Sequence, residues 1–136
     1  MGRTMAGGTW MAAMAVVLGM ATAAAAAGEP KVTPLMARDL VGTAGKEATM
    51  ITVEYPPGWS SAEHRHDANT FVYVLEGSVV MAVRGGKEVT LGPGQTFYES
   101  PDDVHSVSRN ASTTKPARFL VFFVKEKDKP LSTPVK

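Results

Sequence analysis

Glycine and proline divide this 136-residue chain into short pieces. Pro56-Pro57-Gly58, Gly77, Gly85-Gly86, Gly92-Pro93-Gly94 and Pro101 stand between runs rich in β-branched and aromatic residues. Proline removes a backbone donor and glycine takes positive φ at little cost, so helices do not run through such points. What remains are segments of strand length. Glu47 to Tyr55 puts Ile51, Val53 and Tyr55 on one face, because side chains two apart in a strand share a side. Thr70 to Leu75, Ser78 to Arg84, Lys87 to Leu91, Thr96 to Ser100, His105 to Ser108 and Arg118 to Lys125 complete the set. Gly85-Gly86 has the chemistry of a tight hairpin turn. Short strands at this spacing, with no convincing helix between them, predict an all-β barrel or sandwich. Residues 28–46 read as an irregular N-terminal arm with room for one edge strand. Residues 126–136 are polar, contain proline, and read as a mobile tail.

The first 27 residues have a different character. Arg3 gives a weakly positive start, Met11 to Met20 is a short apolar run, and Ala25-Ala26-Ala27 satisfies the small-x-small rule for signal peptidase. The expectation is a cleaved leader over residues 1–27 and an exported protein, periplasmic or secreted. The alternative is a membrane anchor, but the apolar stretch falls short of the roughly 20 strongly apolar residues of a stable span. Cleavage leaves one domain of about 109 residues, enough for a single core. There is no cysteine, so no disulfide contributes. Without Arg3, acidic and basic residues balance, and no basic stripe is interleaved with aromatics. Nucleic acid and anionic membrane surfaces are therefore poor partners.

All three histidines lie in one arrangement. His64 and His66 form an H-R-H pair whose imidazoles, two apart on a strand, aim at one point. His105 lies on a later strand and offers a third. Imidazole suits Zn, Cu, Fe and Ni, and three of them leave open positions for water or substrate. The plain alternative is three ordinary surface or core histidines.

The motif around them resembles the cupin family. That family's first motif is glycine, five residues, H-x-H, three or four residues, glutamate, six residues, glycine. Here Gly58, WSSAE, His64-Arg65-His66, DAN, Thr70, FVYVLE and Gly77 follow that spacing, with Thr70 in the place of the glutamate. The second motif, a proline loop before a histidine and then an asparagine, reads Pro101, His105 and Asn110, with two spacings each off by one. The resemblance spans about residues 47–125. It implies a single jelly-roll barrel with His64, His66 and His105 holding one divalent transition metal (Fe, Mn, Zn, Ni or Cu).

Thr70 is the informative departure. A neutral hydroxyl is a poor ligand beside a carboxylate, so the centre is expected to keep more of its charge and one more open position. Glu99 is the candidate replacement, although a carboxylate before a loop ordinarily faces water. Glu63 has opposite parity to His64 and should point away. Trp59 and Tyr98 are candidates to line the mouth. Asp102-Asp103 reads as a turn. Phe119 to Val124 is apolar on both faces; one face fills the barrel and the other suits a homodimer contact, as family members commonly pair through sheets. The functional expectation is a metal-binding cupin acting on a small organic molecule, in the first instance as a dioxygenase-like oxidoreductase or an isomerase. The alternatives are a non-catalytic module binding a ligand or metal, and a barrel with a vestigial site.

Overall fold

The computed structural model describes residues 28–136. The leader expected over residues 1–27 lies outside them. The described chain is all β: β1 (Lys31–Asp39), β2 (Lys46–Tyr55), β3 (His64–Arg65), β4 (Ala68–Glu76), β5 (Val79–Val83), β6 (Val89–Leu91), β7 (Thr96–Glu99), β8 (His105–Asn110), β9 (Ala117–Glu126) and β10 (Thr133–Pro134). Two antiparallel five-stranded sheets face each other. One runs β1-β2-β9-β4-β7, the other β10-β3-β8-β5-β6. This is a jelly-roll sandwich, and it agrees with the all-β expectation.

Alternation builds the core. Ile51, Val53 and Tyr55 of β2, Val72 and Val74 of β4, and Phe119, Val121 and Phe123 of β9 turn inward from one sheet. Val79 and Met81 of β5 and Leu91 of β6 meet them from the other. The doubly apolar run in β9 is resolved by the pleat: Phe119, Val121 and Phe123 are buried, while Leu120 and Phe122 lie on the outer face.

Two motif residues explain themselves here. Gly77 has φ +68, and a Cβ there would lie 2.5 Å from the Pro116 carbonyl oxygen and 2.9 Å from Ala117 Cα. Only glycine fits both the backbone conformation and the close approach. Asn110 is a clamp. Its side-chain amide donates to the carbonyls of Tyr55, Pro56 and Lys115, and its oxygen accepts the Ser112 amide. The Pro56-Pro57-Gly58 turn is thereby tied to the loop before β9.

The two ends of the described segment are built into the sheets. β1 pairs with β2 along its length, with a bulge between Pro34 and Met36, and forms a long, largely exposed edge. A proline and a bulge on an edge strand discourage further pairing. Residues 126–136, expected as a polar tail, fold back across the mouth. Lys125, buried and paired with Glu47 at 2.6 Å, donates to the carbonyls of Glu126, Lys127 and Lys129. Leu131 packs on the core and β10 pairs with β3.

Candidate metal centre

β3 and β8 place the histidines. His64 is directly opposite His105 in the antiparallel register, and His66 follows one residue beyond β3. Asp67 then takes a left-handed conformation at φ 48, which turns the chain into β4. The ring centroids form a triangle: His64–His66 4.8 Å, His64–His105 4.9 Å and His66–His105 6.0 Å. One ligand atom from each lies within 4.8 Å of the others. The three expected ligands are thus brought together.

Two of the rings are oriented from behind. His64 Nδ1 donates to the Ala62 carbonyl at 2.9 Å, and His66 Nδ1 donates to the Leu131 carbonyl at 2.6 Å. Each bond fixes the ring and leaves Nε2 free, the arrangement typical of metal-binding histidine. The Leu131 contact had no signal in the sequence, because a backbone carbonyl in a polar segment carries no side-chain signature.

Glu99 does not face water. It is 1% exposed and turns toward the histidines. Its Oε1 lies 3.2 Å from His105 Nδ1 and its Oε2 3.8 Å from His66 Nε2. The reason is the pleat of β7, where Phe97 faces inward and takes Glu99 with it. Tyr98 is on the opposite face. It is half-exposed, donates to Asn69 Oδ1 at 2.7 Å and packs on Phe71, so it does not line the mouth. Thr70 is fully buried on β4, in register with Glu99 across the ladder, and both line the cavity. Glu63 forms an exposed ion pair with Arg84. Trp59 does line the cavity, packed on Tyr55 at 4.2 Å between ring centroids. Asp103 closes the expected turn by accepting the Ser100 amide at 2.7 Å.

The cavity between the sheets has a volume of about 420 Å³ and is lined mainly by apolar side chains, with the three histidines, Glu99 and Thr70 as its polar group. Tyr55 and Ser108 form a buried hydroxyl pair at 2.7 Å in its wall. Strict alternation does not find Ser108, which lies three residues from His105. A bulge in β8, opposite the step from Ala82 to Val83, lets both face inward. It falls between His105 and Asn110, where the motif spacing departs from the family form.

Burial sets the charge state. It lowers the His66 pKa to about 4, and the neighbouring His64 adds to the effect. Burial, with His64 and His66 close by, lowers His105 to about 3. Burial raises Glu99 to about 8, with a smaller push from Asp103. Burial likewise raises Tyr55 to about 12, so its hydroxyl keeps its proton. His66 and His105 are therefore neutral near pH 7, the form that binds a metal. Both Glu99 oxygens are buried without a hydrogen-bonding partner among the described residues. An unpartnered buried polar group costs about 1–3 kcal/mol. A divalent transition metal fits this donor set, since it would satisfy the Glu99 carboxylate and one nitrogen of each imidazole together.

A family model described as Cupin domain matches residues 51–123. The chain belongs to the cupin family. No curated protein matches it by sequence. Among solved structures, it is similar to a polyketide cyclase from Streptomyces resistomycificus, with 25% identity and a TM-score of 0.61 over 81% of this chain and 73% of the other. It is also similar to an oxalate oxidase in complex with the substrate analogue glycolate, at 23% identity and TM-score 0.59, covering 78% of this chain and 55% of that one. A DMSP lyase from Ruegeria pomeroyi shares 20% identity and a TM-score of 0.57, over 65% of this chain and 43% of the lyase. This cupin therefore spans less than half of the lyase's length. At such identities the likeness to the oxidase and the lyase is one of fold.

Proposed function

We propose that this cupin is an exported metal-dependent enzyme acting on a small, mostly apolar organic molecule with an ionisable oxygen, and that its chemistry is dioxygenase-like oxidation. The observation that carries the reading is the convergence of His64, His66 and His105 at one apolar cavity of about 420 Å³. That volume is in the range of small-molecule sites. A bound divalent ion supplies Lewis acidity and, if redox-active, a place to hold substrate and dioxygen together.

The protein's own contribution is orientation and exclusion of water. The Ala62 and Leu131 carbonyls hold two imidazoles in place before anything binds. Apolar walls from Val72, Met81, Phe119 and Phe123 keep the donors in a low-dielectric space, where charge on a substrate oxygen interacts strongly with them. The same reading includes pairing of two copies through the outer sheet face.

The test is purification of the protein from its native compartment, elemental analysis, and oxygen uptake with a panel of phenols and diketones. One transition metal per chain and metal-dependent uptake with at least one compound is the expected result. A loaded protein that binds panel members without consuming oxygen would point to a ligand-binding module. A protein that takes up no metal would leave a vestigial site.

A further inference from the structure

We propose that Glu99 is the fourth protein ligand of this centre, a carboxylate carried on β7 instead of at position 70 of the family motif. The inference rests on the metal-binding reading above and adds a ligand to it.

The sheet register makes the substitution geometrically direct. Thr70 and Glu99 are paired across the β4–β7 ladder. Directly opposite residues in an antiparallel pair have Cβ atoms about 5 Å apart and side chains on the same face. A carboxylate lost from β4 is thus regained from the adjoining strand, and the Thr70 side chain is short enough to leave it room. One of the two distances falls in the ligand range. Two donors each about 2.1 Å from one ion stand roughly 3.0 to 3.4 Å apart for cis-octahedral and tetrahedral angles. Glu99 Oε1 lies 3.2 Å from His105 Nδ1, within that range, and Oε2 lies 3.8 Å from His66 Nε2, the nitrogen that the Leu131 carbonyl leaves free, just beyond it.

Satisfaction of polar atoms points the same way. A buried carboxyl normally finds donors, yet both Glu99 oxygens lack one among the described residues. Among the described residues no lysine or arginine lies within salt-bridge distance of Glu99. A cation held between the two sheets meets that need and takes one nitrogen of His105 beside it. The consequence for chemistry is specific. The ion with its ligands carries one unit less positive charge than three histidines alone would leave, and one fewer open position.

The experiment compares zinc(II) release from loaded wild type, Glu99→Gln, His64→Ala and the exchange variant Thr70→Glu/Glu99→Thr, with a chromogenic chelator in excess. Melting curves on the same samples report folding. Glu99→Gln keeps the shape and removes the charge, and is expected to release zinc at least roughly tenfold faster. The exchange variant puts the carboxylate back on β4, and is expected to recover most of the retention that Glu99→Gln loses. A residue that only positions His105 would not be replaced from position 70, so a folded exchange variant that releases zinc as fast as Glu99→Gln overturns the proposal. Wild-type retention in Glu99→Gln, with release accelerated in His64→Ala, overturns it while leaving the three-histidine centre intact. Absence of zinc uptake by wild type removes the metal-binding reading itself.

Discussion

At the scale of single residues, the centre is a set of groups held away from their ordinary charge states by burial. His66 is lowered to about 4 and His105 to about 3, whereas Glu99 is raised to about 8. The signs give opposite slopes in the metal-free protein. Between about pH 6.5 and 4, the unfolded chain takes protons on these histidines that the folded protein refuses, so stability falls as pH drops. From about pH 4.5 up to about 8, the folded protein keeps a proton on Glu99 that the unfolded chain has released, so stability falls as pH rises. Two histidines outweigh one glutamate on the acid side, and Glu99 acts alone above about 6.5. Metal-stripped protein should therefore melt highest near neutrality and lower on both sides. Thermal unfolding at about pH 4.5, 6.5 and 9 checks this, and a melting temperature that climbs steadily to pH 9 would contradict the burial of Glu99. Zinc should flatten the alkaline limb, because the cation compensates the carboxylate.

At the scale of elements, short pieces do the positioning. β3 is two residues long, and its place depends on β8 on one side and β10 on the other. The segment after β9 therefore reaches the centre twice, by pairing with β3 and through the Leu131 carbonyl on His66. Ending the chain after Pro130 removes both contacts but leaves β9 and the core strands complete. Zinc release is expected to quicken by on the order of tenfold, the usual cost of losing a group that orients a ligand. Leu131→Ala, which keeps the carbonyl, should release zinc more slowly than the truncated chain. Equal rates in the two variants would assign the effect to packing of the Leu131 side chain.

At the scale of the whole molecule, the outer face of the β1-β2-β9-β4-β7 sheet carries an exposed aromatic patch. Phe71 and Tyr73 on β4 and Tyr98 on β7 are about half exposed beside Leu120 and Phe122 of β9. A contiguous aromatic patch of this kind suits a second copy of the chain. Sedimentation should show a dimer, and Phe71→Glu should shift it to monomer while metal content stays at the wild-type level. A monomeric wild type at high concentration would remove the dimer from the proposal.

Residues 28–46, read as an irregular arm, supply the nine-residue β1, whereas the strands between residues 47 and 125, the inward face of β2 and the three histidines were legible in the sequence. Each rests on local rules: glycine and proline punctuation, period-two alternation, and a pair of imidazoles two apart. Gly58, His64, His66, Gly77 and His105 form a pattern read along the chain without knowledge of its partners. Glu99 was legible only as a candidate. β7 has an aromatic on each parity, Phe97 and Tyr98, so alternation alone does not say which face turns inward, and the site received Glu99 while Tyr98 went outside. Ser108 was hidden by a bulge, which breaks the alternation and is specified by the neighbouring strand. The Leu131 carbonyl was hidden because it is backbone, and the return of residues 126–136 depends on the carbonyls gathered by buried Lys125. What the chain determines by itself is the set of donors and the period that presents them. Which carboxylate reaches the histidines was decided by strand register, a relation between segments far apart in sequence, because burial of Phe97 and the ladder to β4 fix the rotation of β7 together.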